Sequence, residues 1–181
     1  CVNLAQARFD ALIKPVGSLA KLEKMTTRYA GIIGKHKKDE LDYPKKALLV
    51  WCGIKEAEFV EKIMRGQWPV NVLTASVGAD VHPLLVVAEN LSEALEEGAS
   101  LVQEYVSEEG YGLLGFGCLE DANDTIVQAA MAGGMLQAAA LKIPVVLDGV
   151  VSCTAAAKAI QLASNVKEYL IAGHVSAEVG A

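Results

Sequence analysis

The sequence predicts an α/β fold: a doubly wound, mostly parallel sheet with helices on both faces, preceded by an N-terminal helical hairpin. From residue 46 onward, short apolar runs alternate with longer amphipathic or Ala-rich segments, as in a parallel sheet covered on both sides. Polar and glycine residues follow these runs, and the first forty residues contain no strand-like run. The predicted domains are therefore a hairpin at residues 1–40 and an α/β nucleotide-binding-like domain at residues 46–181.

The hairpin is predicted from two amphipathic segments separated by a turn with proline and glycine. The first helix is placed at residues 3–13, and Ser18 is expected to cap the second helix because its hydroxyl can accept from a free N–H group. Apolar residues at helical spacing predict one buried stripe on that second helix. They are Leu19, Leu22, Met25, Tyr29, Ile32 and Ile33. The basic stretch that follows, residues 35–46, is interpreted as a solvated connection.

Apolar runs also predict the individual elements of the sheet domain. The predicted strands are residues 47–52, 111–115, 144–147 and 169–172. The predicted helices are residues 54–65, 91–107, 122–141 and 152–162. Residues 70–87 stay open between helix and strand, because their valines favour a strand while Pro83 argues against a central one. The stretch 89–109 has seven glutamates and no Lys or Arg, which favours a solvated helix face over a docking face for a basic partner.

Composition limits the classes of function. The chain has 181 residues, is 52% hydrophobic and carries a net charge of -6, so it is globular and has no general attraction to nucleic acid. No apolar run approaches the ~20 residues of a membrane helix. None of the four cysteines forms a Cys-x-x-Cys pair. These observations predict a soluble, cytoplasmic protein with no nucleic-acid or membrane partner.

A zinc site is weighed and not predicted, and no cofactor is predicted either. Cys52, Cys118, Cys153 and His174 all fall near predicted strand ends and are ligand types that zinc accepts. Zinc motifs normally contain a closely spaced ligand pair, which these residues lack, and a buried cysteine is usually an inert core residue. His36 and His82 are interpreted as structural or exposed.

Polar residues at the carboxyl ends of the predicted strands define a candidate ligand site, because open α/β sheets bind ligands at that edge. The candidate ligand-binding residues are Gly115, Gly117, Asp148, Gly149, Ser152, His174, Ser176 and Glu178. Taken singly, each has a structural alternative: the glycines permit tight turns, Asp148-Gly149 is a strand-to-helix turn, and Ser152 is an N-cap. His174 and Glu178 are the candidates for proton transfer.

Four segments together resemble the nicotinate-nucleotide–dimethylbenzimidazole phosphoribosyltransferases. Residues 12–19 are similar to the family's Leu-x-Lys-Pro-x-Gly-Ser-Leu, and residues 147–149 to its Leu-Asp-Gly. Residues 169–180 are similar to Tyr-Leu-Ile…His-x-Ser-Ala-Glu-x-Gly, and residues 115–123 fall where the family has Gly-x-Gly-Glu-x-Gly-x-x-Asn-Thr. The resemblance implies a doubly wound domain, a homodimer, and phosphoribosyl transfer from nicotinate mononucleotide to dimethylbenzimidazole in cobalamin lower-ligand synthesis.

The sequence also departs from this family's pattern at positions that matter chemically. The family's general-base motif Arg-Leu-Gly-Glu-Gly is absent, Cys118 and Glu120 replace a Glu and a Gly of the loop, and Asp121 follows. Each of the two loop carboxylates is expected to repel a phosphate by about 1 kcal/mol. The family's Ala-Asp-His-Gly after the first strand is replaced by residues 53–56, and the stretches between strands are shorter.

These departures predict a reduced relative that binds a base, nucleotide or corrinoid precursor without full catalysis, as a homodimer or with a protein partner. Whether the chain is an enzyme stays open at this point. One alternative is a structural or regulatory subunit that docks a protein partner. Another is an active phosphoribosyltransferase whose C-terminal part is missing from this sequence.

Overall fold

The structure, a computed structural model, describes residues 1–35, 43–119 and 124–173. The chain divides into two compact units, Cys1–Tyr43 and Pro44–Ala181. Within the described ranges, no helix has both the length and the apolarity needed to cross a membrane.

The N-terminal unit is the predicted helical hairpin, formed by α1 (Val2–Asp10) and α2 (Lys21–Ile33). α1 ends three residues earlier than predicted. The prediction that Ser18 caps α2 is wrong, because α2 begins at Lys21 with Ala20 as its N-cap and no side-chain cap bond. Ser18 instead lies in the preceding turn, where its N–H group bonds to the Pro15 carbonyl at 3.1 Å.

A partly buried ion pair joins that turn to the second helix. The Lys14 Nζ donates to Glu23 Oε1 at 2.8 Å, and the same oxygen accepts from the Leu19 N–H at 3.1 Å. Gly17, between them, has φ +74°, a conformation that favours glycine. Hydrogen bonding from Lys14 is the main cause that lowers the pKa of Glu23. The Lys-Pro-x-Gly-Ser-Leu signature therefore has a structural role in closing the turn over α2.

The predicted apolar stripe of α2 is only partly buried. Ile32 is buried, but Leu22 and Met25 are 58% and 55% exposed. The helix packs on α1 through smaller residues instead: a β-carbon at Gly31 would lie 2.5 Å from the Val2 side chain. The closest approach of the helices thus uses a face rotated away from the large apolar residues.

The second unit contains a five-stranded, all-parallel sheet with the order β2-β1-β3-β4-β5. The strands are β1 (Lys46–Cys52), β2 (Ala79–Leu85), β3 (Leu113–Cys118), β4 (Val145–Leu147) and β5 (Leu170–Ala172). The helices are α3 (Ala57–Met64), α4 (Pro69–Ser76), α5 (Leu91–Glu109), α6 (Thr125–Ala140) and α7 (Gly149–Leu162), with 3-10 turns at Ile54–Glu56 and Ser164–Tyr169. The predicted α/β class and parallel sheet are confirmed.

Both faces of the sheet carry helices, as predicted. On one face, β1 and β3 bury Leu49, Trp51 and Phe116 against residues of α5, α6 and α7. On the other face, Val50 and Cys52 pack with Ile63 of α3. The sheet is thereby doubly wound, and the connections that leave β1 and β3 run on opposite faces.

Several predicted boundaries need correction. The strand predicted at 111–115 is β3, Leu113–Cys118, because its ladder with β1 pairs Lys46 with Leu113 and Trp51 with Cys118. The helix predicted from residue 152 begins at Gly149, and the one predicted at 54–65 is a 3-10 turn followed by α3.

The open segment 70–87 contains both α4 and β2. Pro83 is tolerated because β2 is the edge strand of the described sheet. The Val86 N–H donates to the Cys52 carbonyl at 2.8 Å. Backbone N–H groups alternate between the two sides of a strand, so the nitrogen of Pro83, three residues earlier, points away from β1, where no ladder bond is lost.

Candidate functional site

The strand order places a topological switch point between the carboxyl ends of β1 and β3. Connections leave these two adjacent strands toward opposite faces, which opens a crevice of the kind where doubly wound sheets bind ligands. The Leu119 N–H approaches the Trp51 carbonyl at 3.4 Å, so the chain after β3 starts beside the end of β1. The switch point is therefore bordered by Gly53 on one side and Leu119 on the other.

Gly115 and Gly117 lie inside β3, so the alternative that they permit tight turns is wrong. Neither has a positive φ. A β-carbon at Gly115 would lie 3.1 Å from Cδ1 of Leu48, and one at Gly117 would lie 3.9 Å from the same atom. The two glycines make room for the Leu48 side chain of β1, and their role as ligand contacts stays a prediction. The loop residues Glu120 and Asp121 fall outside the described ranges.

The turn after β4 brings three predicted site residues together at the same sheet edge. The Asp148 N–H bonds to the Phe116 carbonyl at 3.1 Å, and the residue is exposed. Gly149 has φ +81°, which a residue with a side chain rarely adopts. Ser152 is fully buried, and its hydroxyl donates to the carbonyls of Asp148 and Gly149 at 2.8 and 3.0 Å.

Ser152 is thus not an N-cap, because the helix begins earlier and Asp148 holds the cap position. Its hydroxyl stabilises the first turn of α7 and leaves little freedom to contact a ligand. The assignment of Asp148, Gly149 and Ser152 as ligand-binding residues stays a prediction.

The chain leaves β5 at the same carboxyl edge of the sheet. The Gly173 N–H bonds to the Leu147 carbonyl at 3.0 Å, and a β-carbon at this position would lie 2.9 Å from that oxygen. Only glycine fits so close an approach. The three candidates that follow, His174, Ser176 and Glu178, lie outside the described residues, so their assignment stays a prediction.

Asp124 is a residue of this edge that sequence reasoning missed. Its Oδ1 accepts from the Ile126 and Val127 N–H groups at 2.9 and 3.0 Å and caps α6. In the loop pattern that the sequence resembles, the residue at this place is Thr. The carboxylate brings a negative charge to a helix N-terminus, whose free N–H groups otherwise favour anions. The sequence showed that Asp124 stands where the family pattern has Thr. It did not show that the residue caps α6, because that depends on the helix starting at residue 125.

Glu56 is the second residue that sequence reasoning missed. It closes the 3-10 turn after β1, and its N–H bonds to the Gly53 carbonyl at 3.1 Å. Its Oε2 is buried and has no hydrogen-bond partner. The available signal was the replacement of the family's Ala-Asp-His-Gly by residues 53–56, but the sequence did not show which of these side chains is buried.

A histidine interpreted as structural lies away from this edge, in the middle of β2. His82 Nε2 is 2.7 Å from the Tyr111 hydroxyl, which donates to Asp80 at 2.7 Å. Burial lowers the pKa of His82 and, with the Asp80 hydrogen bond, raises the pKa of Tyr111. These contacts tie β2 to the start of β3, in agreement with a structural role.

No group of three potential metal ligands occurs among residues 1–35, 43–119 and 124–173. Within the zinc set weighed above, Cys52 is buried and Cys153 is exposed, so these two do not share one environment. The fourth residue of that set, His174, lies outside the described ranges.

Comparison with known proteins identifies the family. A family model described as phosphoribosyltransferase matches residues 1–90 and 125–181, which is most of the chain. The nicotinate-nucleotide–dimethylbenzimidazole phosphoribosyltransferase of Clostridium tetani is 25% identical, with 99% of this chain and 76% of the relative covered. The enzyme of the same name from Escherichia coli (strain SE11) is 27% identical, with 99% and 78% covered.

Solved structures support the fold. The crystal structure of CobT from Thermus thermophilus superposes with a TM-score of 0.78 at 18% identity, covering 96% of this chain and 81% of that one. A second structure from that organism, of the nicotinate-nucleotide–dimethylbenzimidazole phosphoribosyltransferase, gives a TM-score of 0.80 at 17% identity.

The alignments also locate a difference inside the chain. The match to the Clostridium tetani relative extends over 281 positions, whereas this chain has 181 residues, so at least 100 positions face a gap here. The family model leaves residues 91–124 unmatched, the segment of α5 and β3. The shorter connections predicted from the sequence fit this gap. With the matched segments at both ends, the chain belongs to the family of the nicotinate-nucleotide–dimethylbenzimidazole phosphoribosyltransferases.

Proposed function

We propose that this chain binds a small base, nucleotide or corrinoid precursor at the switch point without completing phosphoribosyl transfer on its own. Among these ligands we favour an uncharged heteroaromatic base, bound between the carboxyl ends of β1 and β3. The names of the relatives supply the two substrate classes, a nicotinate nucleotide and a benzimidazole. We expect this chain to bind the two classes differently: the base is a ligand, and the phosphate-bearing nucleotide binds only weakly.

The capping of α6 by Asp124 is the observation that carries this proposal. Two of the first N–H groups of the helix, those of Ile126 and Val127, already bond to its carboxylate. A phosphate at this place would lose these donors and meet a like charge, which costs about 1 kcal/mol at 4 Å even in water. An uncharged ring meets neither obstacle. The site therefore favours a neutral ligand over a nucleotide.

The chemistry of the transfer gives a second argument. Ribosyl transfer needs donors that hold the phosphate and a base that takes the proton of the attacking azole. Cys118 stands where the family pattern has a glutamate, so the carboxylate of that loop position is absent here. The internal gap of at least 100 positions removes further segments that relatives possess. General-base assistance contributes ~100- to 10,000-fold to such a rate, so a turnover assay distinguishes a chain that has a base from one that lacks it.

The experiment combines binding with turnover. Calorimetry measures the affinity for dimethylbenzimidazole and for nicotinate mononucleotide separately, and chromatography then measures ribazole phosphate after incubation with both. We expect binding of the base, weak binding of the nucleotide, and no product above background. Turnover that disappears in His174→Ala or Glu178→Gln would contradict the proposal, because it would reveal a working base. Activity that appears only in a longer natural reading frame would favour an enzyme whose C-terminal part is missing from this sequence.

A role as a subunit that docks a protein partner is a second candidate, favoured by one surface. Four apolar side chains from the end of α3 to the end of α4 are 61–75% exposed: Met64, Val72, Leu73 and Val77. Contiguous exposed apolar surface is typical of interaction sites. Cross-linking of the chain to the proteins of a cell extract, with Leu73→Glu as the comparison, tests this candidate. Partner capture that is unchanged in the variant would remove the argument from this surface.

A further inference from the structure

We propose that the carboxylate of Glu56 is the hydrogen-bond acceptor for the ring N–H of a neutral azole, such as a benzimidazole, bound at the switch point. This inference rests on the proposed function, since it names the residue that holds the base. It goes beyond that proposal because neither the family resemblance nor the sequence pattern gives Glu56 a role.

The unpartnered oxygen of Glu56 is the first observation. Its Oε2 is shielded from solvent, yet it has no hydrogen-bond partner among the described residues. Buried polar atoms in native proteins nearly always have partners, and leaving an acceptor unsatisfied costs free energy. A buried carboxylate oxygen is more costly still, because its charge is also desolvated. A ligand donor would relieve this cost on binding.

The position of Glu56 is the second observation. Its N–H bond to the Gly53 carbonyl, at 3.1 Å, fixes the residue one tight turn beyond the end of β1. On the neighbouring strand, Leu119 starts the chain segment that follows β3 and approaches the Trp51 carbonyl. Residue 56 therefore lies just beyond the carboxyl end of β1, at the edge of the sheet where a doubly wound fold binds its ligand.

The neighbouring glutamates show that this arrangement is specific to Glu56. Glu58 forms an ion pair with Lys62 at 2.6 Å, and Glu61 pairs with Arg65, both on the exposed side of α3. Glu56 occupies the N-cap position of the same helix, but its side chain makes no cap bond. It thus has neither of the structural roles that explain most glutamates at the start of a helix.

The chemistry of the group limits the ligand. An ionised carboxylate only accepts hydrogen bonds, so it selects a donor and rejects a phosphate by charge repulsion. An azole with an N–H presents one such donor on a flat apolar body. A hydrogen bond between N–H and a charged acceptor stabilises a complex enough to change its affinity by tenfold or more.

Matched ligands and matched variants test the inference. Benzimidazole and 1-methylbenzimidazole have nearly the same shape, but only the first has a ring N–H. Calorimetry on the full chain measures the affinity of both ligands for the wild type and for three variants. Glu56→Met removes the acceptor, and Glu56→Gln keeps a neutral acceptor. Glu58→Gln is the control on α3. We expect the wild type to prefer benzimidazole about tenfold or more, Glu56→Met to lose the preference, Glu56→Gln to keep part of it, and the control to behave as wild type.

Unliganded stability provides a readout independent of binding. Removing an unpartnered buried carboxylate should leave the denaturation midpoint of both Glu56 variants unchanged or raise it. A wild type that binds benzimidazole and a Glu56→Met variant that binds it equally well would overturn the inference while leaving the proposed function intact. Lowered midpoints in both variants would also overturn it, because the carboxylate would then be structural. A wild type that binds neither ligand would refute the proposed function itself.

Discussion

Gly98 of α5 lies directly against the backbone of Ala130 in α6: a β-carbon on Gly98 would be 1.8 Å from the Ala130 carbonyl oxygen. The contact is repeated from the other helix, where a β-carbon on Gly133 would be 2.0 Å from the Leu95 carbonyl oxygen. The two helices therefore cross backbone to backbone, without side chains between them. This crossing covers the face of the sheet that buries Trp51 and Phe116.

Substitution of Gly98 by alanine is expected to destabilise the fold. The added methyl group cannot fit unless α5 and α6 move apart, and the clash is with a backbone atom that cannot rotate away. Overpacking of this kind should cost at least about 2 kcal/mol, which urea denaturation measures. Ser100→Ala, at an exposed position of the same helix, should change stability by less than about 0.5 kcal/mol. Equal midpoints for Gly98→Ala and wild type would refute the close crossing.

The Lys14–Glu23 ion pair predicts a dependence on pH. Because the pKa of Glu23 lies below its ordinary value of 4.5 in the folded unit, the contribution to stability is fully present above that pH. It is lost as the pH falls through the lower folded value. The α2 amides should exchange more slowly in the wild type than in Glu23→Gln near neutral pH. This difference should shrink in acid, below the ordinary pKa of 4.5. Glu104→Gln serves as the control, and a difference between Glu23→Gln and wild type that stays constant into strong acid would contradict the expectation.

Two substitutions of Asp124 should separate its role as a cap from the effect of its charge. Asp124→Ala removes the cap of α6 and should cost about 1 kcal/mol in urea denaturation. Asp124→Asn keeps a capping oxygen and should retain most of the stability, while the loss of charge strengthens the binding of nicotinate mononucleotide about fivefold. Glu108→Gln makes the same change in net charge at the far end of α5 and should leave affinity unchanged. No gain for Asp124→Asn would count against charge repulsion at this helix start.

The exposed apolar face of α2 predicts self-association. Leu22 and Met25 are more than half exposed, and the family resemblance implies a homodimer. Sedimentation equilibrium should give a species near twice the monomer mass of 19.1 kDa at micromolar concentrations. Leu22→Glu should shift it to the monomer, whereas Lys24→Glu, on a polar position of the same helix, should not. A wild type that stays monomeric would refute this interface.

The sequence by itself determined most of the helices and strands, and only residues 70–87 stayed open between the two. Alternation of apolar runs and amphipathic segments is a local property, so the parallel α/β class and the hairpin were predicted, and β1 was predicted nearly to the residue. The signature around Lys14 and Gly17 was equally visible, because its turn is closed by residues close in the chain. Family membership followed from the same local patterns.

Only the tertiary structure decided what several of these residues do. Gly115 and Gly117 had tight turns as their structural alternative, but the register of β3 on β1 places them in a strand beside Leu48. Ser152 was assigned to a cap, but it is buried inside a helix that starts earlier. The unpartnered oxygen of Glu56 is a property of everything packed around it. Pairing and burial join residues far apart in the chain, and no local pattern encodes which neighbours a side chain will meet.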